Sequence, residues 1–224
     1  MPFLGLSLLI ALFLLVLFPL LFGELMLASL TKLHLTPGTA LLLFFAIIFG
    51  GLVNIPIRRI ARPDELVARP MAVFGFPDLF PQLHRARRET VIAINLGGCV
   101  IPVAIALYEI IYLSATGIGS LLAAVAASAV NAAVCYRLAR PIAGVGLAIP
   151  GIVPGLVAAL LAIVLAPDHA APVAFIAGVL GPLIGADVLH LREVATIDAA
   201  IVSIGGAGTF DGIVLSGILA AYLA

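Results

Sequence analysis

The chain has 224 residues, of which 64% are hydrophobic and only 10% charged. Its formal net charge is zero and its mean hydropathy is +1.31. A water-soluble domain carries about 25% charged residues, so this composition excludes a soluble globular fold, and the charge balance gives no reason to expect a nucleic-acid partner. It indicates an all-α, polytopic membrane protein.

A helix that spans a bilayer needs about 20 predominantly apolar residues. Seven segments meet that need, at about 4–31, 37–56, 91–113, 115–135, 141–166, 171–191 and 199–223. The first is too long for the apolar core of a signal peptide and has no basic flank, so it reads as a span. Between the second and third lies the long polar stretch 57–90, with Arg58, Arg59, Arg62, Arg69, Arg85, Arg87 and Arg88. The excess of arginine places this stretch in the cytoplasm, together with Arg137, Arg140 and Arg192 from two later loops. Lys32, His34, Asp168 and His169 fall on the opposite side. The expectation is one membrane domain, 1–224, in the cell (cytoplasmic) membrane, with the N-terminus in and the C-terminus out. The basic loop reads first as a topology signal and only second as a contact for anionic lipid. Cys99 and Cys135 lie in apolar spans without metal-like neighbours and read as packing residues. No metal or other cofactor is expected.

Four later spans are interrupted by glycine and proline. The interruptions are NLGGCVIP (Asn95 to Pro102), GVGLAIPGIVPGL (Gly144 to Leu156), GPLIGAD (Gly181 to Asp187) and GGAGTFDG (Gly205 to Gly212). Proline removes a helical hydrogen bond and glycine tolerates non-helical torsions. In hydrocarbon the freed backbone groups must be satisfied by protein or by a water-filled cavity. Glycine also allows helices to pack closely, but two of these four sites carry a carboxylate.

Charged groups at membrane depth mark functional sites by default. Glu24 and Glu109 lie toward the outer ends of their spans, within reach of the interface, and Asp198 reads as a solvated helix-start residue. Asp187 and Asp211 remain, on adjacent spans. Two carboxyl groups within hydrogen-bond reach share one proton, so that one activates water while the other polarises a peptide carbonyl. That chemistry requires water at membrane depth, which a broken, glycine-rich backbone admits.

At these residues the chain resembles the GxGD intramembrane aspartyl proteases, presenilin and signal peptide peptidase. ADVLHL is similar to the first catalytic element, with Asp187 in the catalytic place and Ala186 where that class has tyrosine. GAGTFDGIVLSGILAAYLA is similar to the second, with Gly206 and Gly208 on its glycines and Asp211 on its aspartate, after an insertion of Thr209 and Phe210. PGLVAALLA echoes a third, substrate-lining element. The resemblance implies a catalytic dyad of Asp187 and Asp211, a loop shaped by Gly206 and Gly208, a groove lined by Pro154 and Leu156, and a transmembrane peptide as substrate within the lipid bilayer. The whole chain also resembles a family of small prokaryotic membrane proteins of unknown function that shares the GGAGTFDG and NLGG-type elements. Two other readings stay open. One is an ion-coupled carrier with Asp187, Asp211, Asn95 and Asn131 as cation ligands. The other is a non-catalytic scaffold in which Asp187 pairs with Arg192.

Depth sets a condition on the dyad. At about 1.5 Å per residue, a continuous helix from residue 199 would bury Asp211 about 18 Å deep, against about 6–8 Å for Asp187. The carboxyls meet only if 204–210 is not helical, and Gly205, Gly206 and Gly208 are the residues that permit this.

Overall fold

The computed structural model describes residues 13, 17, 20–61, 65–68, 72–73, 76–77, 83–86, 89–142, 146–194 and 201–224. Helix α1 (Leu20–Thr31) is followed by a short turn and then α2 (Pro37–Gly50). The start of α2 is fixed locally: Thr36 caps it by accepting the Thr39 N–H, and Pro37 occupies the first turn, where its missing N–H costs nothing.

The chain then departs from an all-helical fold. Strand β1 (Asn54–Ala61) pairs antiparallel with β6 (Glu89–Asn95), Asn54 standing opposite Asn95. Nested between them, β2 (Glu65–Ala68) pairs with β5 (Leu83–Ala86), and β3 (Ala72–Val73) with β4 (Phe76–Pro77). The stretch expected as a basic loop therefore contains a β-arm. Arg58 and Arg59 are exposed on β1, and Arg62, Arg69, Arg87 and Arg88 lie outside the described residues. The third span does not begin at 91. The run Thr90-Val91-Ile92-Ala93-Ile94 is rich in β-branched residues, which favour a strand over a helix. A bulge between Pro56 and Arg58 accommodates the proline within β1.

Beyond Asn95 the chain makes a π-helical turn, Leu96–Val100, and continues as α3 (Ile101–Thr116) and α4 (Ile118–Leu138). A small hairpin of β7 (Arg140–Ile142) and β8 (Gly146–Ala148) precedes α5 (Ile152–Leu165). A 3-10 turn, Pro167–His169, leads into α6 (Ala170–Pro182), which runs on into a second π-helical turn, Leu183–Val188. After the short α7 (Leu191–Val194), β9 (Ile201–Ile204) joins the first sheet, parallel to β6, giving the order β1-β6-β9. A 3-10 turn, Gly208–Phe210, precedes the last helix, α8 (Gly212–Leu223).

Among the described residues, three helical runs are long and apolar enough to cross a membrane: Leu96–Thr116, Ile118–Leu138 and Pro167–Val188. Four more helices, Leu20–Thr31, Pro37–Gly50, Ile152–Leu165 and Gly212–Leu223, are apolar but shorter. Apolar residues counted toward spans two, five and seven are used in β1, in β7 and β8, and in β9, and most of the first span before Leu20 lies outside the described residues.

Helix α6 is the centre of the bundle. Val173, Ala174, Phe175, Ile176, Ala177 and Val179 on it are at most 1% exposed. Glycine sets its distance from its neighbours. A Cβ at Gly178 would stand 2.7 Å from the Ser216 carbonyl of α8, and one at Gly181 would strike Asn131 of α4. Such contacts bring helices together where no hydrophobic drive exists between them.

Candidate functional site: two carboxylates on broken helices

Three glycine pairs cross at the arm end of the bundle. They are Gly50-Gly51 at the end of α2, Gly97-Gly98 in the first π turn, and Gly205-Gly206 after β9. A Cβ on Gly97 would run into the Ile47 carbonyl and the Gly51 nitrogen, and one on Gly98 into the Gly205 carbonyl. Gly205 and Gly208 have φ of 70° and 60°, a region that favours glycine. Their turn is closed by backbone bonds from Gly206 N–H to Ser203 O (3.0 Å) and from Gly208 N–H to Gly205 O (2.9 Å). The expectation that 204–210 is not regular helix holds: strand, turn and 3-10 turn follow one another there.

A buried polar strut holds the crossing. Asn95 Nδ2 donates to Gly51 O (2.8 Å) and to Asn54 Oδ1 (3.1 Å), and its Oδ1 accepts the Gly98 N–H (2.7 Å). Ser203 Oγ donates to the same Asn54 Oδ1 at 2.6 Å, so the ends of β1, β6 and β9 are joined through side chains. Neither Asn54 nor Ser203 stands out in the sequence, because their roles exist only once strands far apart in the chain are aligned.

Asp211 is the N-cap of α8. Its carboxylate accepts the Ile213 N–H (3.0 Å) and the Ala207 N–H (3.4 Å), tying the helix start to the glycine loop. Asp187 lies in the second π turn and, like Asp211, is half-buried. Asp187 and Asp211 thus both stand where regular helix is interrupted, one within a π turn and one at the helix start that follows the glycine turn. π turns recur at functional sites, because they re-aim side chains that a regular helix would place elsewhere.

The remaining predicted site residues are arranged around this centre. Gly208 is buried at the crossing and Gly206 is exposed. Pro154 is buried on α5, whose start packs on α8 through Gly151 and Gly155. Leu156, on the same helix, is 44% exposed. Asn131 is an interhelical clamp, its Nδ2 donating to the Ala177 carbonyl of α6 at 2.8 Å. The side chain of Arg192 and all of Asp198 lie outside the described residues.

At the far end of the bundle, Glu109 does not reach the interface as expected but is fully buried. The physical reason is a partner supplied by the α1–α2 turn. His34 gives it a backbone N–H at 3.1 Å and a ring nitrogen at 2.8 Å, while Tyr108 OH donates to the His34 carbonyl at 2.8 Å and Tyr112 stacks on the imidazole. Glu24 is exposed on α1. Among the described residues, no three His, Cys, Asp or Glu side chains are grouped to hold a metal ion.

Apolar helices packed around a buried, glycine-rich crossing, with two carboxylates where helices break, define a helical membrane protein whose candidate site is built from interrupted backbone. The chain belongs to DUF1614, a family described as of unknown function, which matches residues 48–223 and so takes in Asn54, Asn95, Asp187 and Asp211. No curated protein and no solved structure matches the chain.

Proposed function

We propose that this protein is an intramembrane hydrolase of the aspartyl type, cleaving peptide bonds of transmembrane substrates with Asp187 and Asp211. What carries the reading is that each of these two carboxylates stands at a break in regular helix. They come from different helices and, were both helices continuous, would stand at different depths. The π turn at 183–188 and the glycine turn before α8 free both from those positions, which is the condition the dyad needs. One carboxylate takes a proton from water as the water oxygen attacks the scissile carbonyl carbon. The other, protonated, donates to the carbonyl oxygen. Collapse of the tetrahedral intermediate breaks the C–N bond: the departing amine takes the proton that the first carboxylate removed from water, and one hydroxyl of the intermediate gives its proton back to the second carboxylate as the C=O re-forms.

Backbone around the site suits an extended substrate. Among the described strands, β9 is bonded on one side only, to β6, and it ends directly at the glycine turn. A peptide adding to such an edge is held through its main chain. The protein would lie in the cytoplasmic membrane with its N-terminus in, its C-terminus out and the β-arm on the cytoplasmic side, an orientation that rests on the arginine distribution. A cation carrier ranks second because Asn95 and Asn131, two of the ligands it would use, are engaged as struts to backbone groups.

The test is cleavage of a panel of transmembrane peptides by purified protein beside Asp187→Asn and Asp211→Asn. Loss of cleavage in each variant, with the fold retained, supports the dyad. Equal cleavage by all three overturns it. Cation-dependent stabilisation that vanishes in the variants, without cleavage, supports the carrier instead.

A further inference from the structure

Among the described residues, His190 is one of the few buried polar side chains, 6% exposed, and neither the dyad chemistry nor the glycine crossing uses it directly. It follows the second π turn. There Leu189 N–H bonds back to Ile184 O in the five-residue step of that turn, and the chain then leaves the helix. The last carbonyls of a helix have no partner within it. His190 supplies one: its Nδ1 lies 3.1 Å from Gly185 O and 3.0 Å from Ala186 O. With two carbonyls on it, Nδ1 must be the ring nitrogen that carries hydrogen. The imidazole stacks on Tyr136 of α4, ring centroids 4.6 Å apart. The turn itself is pressed on α4, where a Cβ at Gly185 would strike the Ala132 carbonyl.

These contacts hold the backbone that leads into Asp187. The residue before it accepts from His190, the one before that both accepts from His190 and abuts α4, and the stacked ring fixes the imidazole from the side. We infer that His190 is the positioning residue of the site: by binding the carbonyls of Gly185 and Ala186 it fixes the π turn and with it the direction of the Asp187 carboxylate, which the dyad reading pairs with Asp211. The inference rests on the dyad reading for its functional meaning, but its test does not depend on proteolysis. Release of the two carbonyls lets the turn relax toward regular helix. That rotates Asp187 about the helix axis and uncouples it from Asp211.

The experiment measures labelling of Asp187 by a hydrophobic carbodiimide, quantified by mass spectrometry across pH, in the full-length protein. In the wild-type background, Asp211→Asn should displace the Asp187 labelling midpoint by on the order of one pH unit, because interacting carboxyls titrate as a pair. His190→Phe keeps a ring on Tyr136 and removes the N–H; in that background Asp211→Asn should leave the midpoint unmoved. His190→Asn keeps an N–H near Nδ1 and should restore the displacement. A full displacement in His190→Phe overturns the inference, and so does a failure of His190→Asn to restore it. If His190→Phe does not fold, the Asn variant and Tyr136→Ala decide by the same measurement: loss of coupling in Tyr136→Ala with retention in His190→Asn supports the role, and the reverse overturns it. Where peptide cleavage is observed, His190→Phe should lower kcat about 10²-fold, the effect of a misplacement near 1 Å, with KM nearly unchanged. Absence of cleavage by wild type would count against the protease reading and leave the labelling result on His190 standing.

Discussion

Asp211 has two roles that can be separated by choice of substitution. As an N-cap it accepts the Ile213 N–H on one carboxylate oxygen, a role that asparagine fills about as well as aspartate, and only the long 3.4 Å bond from Ala207 to the other oxygen is lost in the amide. As half of a dyad it cycles a proton, which asparagine cannot do. Asp211→Asn is therefore expected to keep its melting temperature in detergent within the scatter of wild type. Asp211→Ala should lose about 1 kcal/mol from the missing cap. A large loss of stability in the Asn variant would show that its charge, and not its cap, holds the loop. Much at this scale is legible from sequence, since an aspartate amid apolar residues is conspicuous. His190, Asn54, Ser203 and the His34 partner of Glu109 are not, because each acts through a contact that exists only in the folded chain.

At the scale of elements, glycine content predicts where regular structure stops. Each of the four interruptions read from the sequence coincides with a π turn, a 3-10 turn or a strand end in the described residues. The replacement of helix by strand was not legible. In an apolar run, a strand buried at a membrane boundary and the first turns of a span share the same hydropathy. The glycines also differ from one another. Gly98→Ala would place a methyl against the Gly205 carbonyl, and relief requires two backbones to part. It should cost about 1–3 kcal/mol or more, the usual range for overpacking. Gly119 lies in the first turn of α4, and a methyl group added there would meet nothing within 4 Å. Gly119→Ala should stabilise by about 0.5–1 kcal/mol through the better helix former. Thermal unfolding of the two variants side by side checks both signs. Equal effects would mean that the crossing is looser than its geometry indicates.

For the molecule as a whole, composition establishes the class correctly, but the number of full crossings among the described residues is lower than hydropathy alone suggests. The two ends of the bundle are held in different ways. The arm end relies on backbone crossings and amides, and the far end on charge. There, Lys32 Nζ donates to the Tyr222 carbonyl of α8 (2.5 Å), and His34 joins the α1–α2 turn to α3 through Glu109. His34→Ala leaves a fully buried carboxylate short of a partner, at a cost of about 1–3 kcal/mol. Adding Glu109→Leu should recover most of that loss, since an apolar residue needs no partner. A double variant no more stable than His34→Ala would place the effect in the Tyr112 stack instead.

The parallel pairing of β6 with β9 has a consequence for biogenesis. Val91 to Ile94 meet Ile201 to Ile204 across more than a hundred intervening residues. The ribosome delivers β6 and the helices α3 to α7 before the strand that completes their sheet, and contacts between such distant segments form late. Until then the Gly97-Gly98 turn has no Gly205 to rest against. A nascent chain already threaded into the bilayer therefore carries an unfinished centre until β9 and α8 have been made.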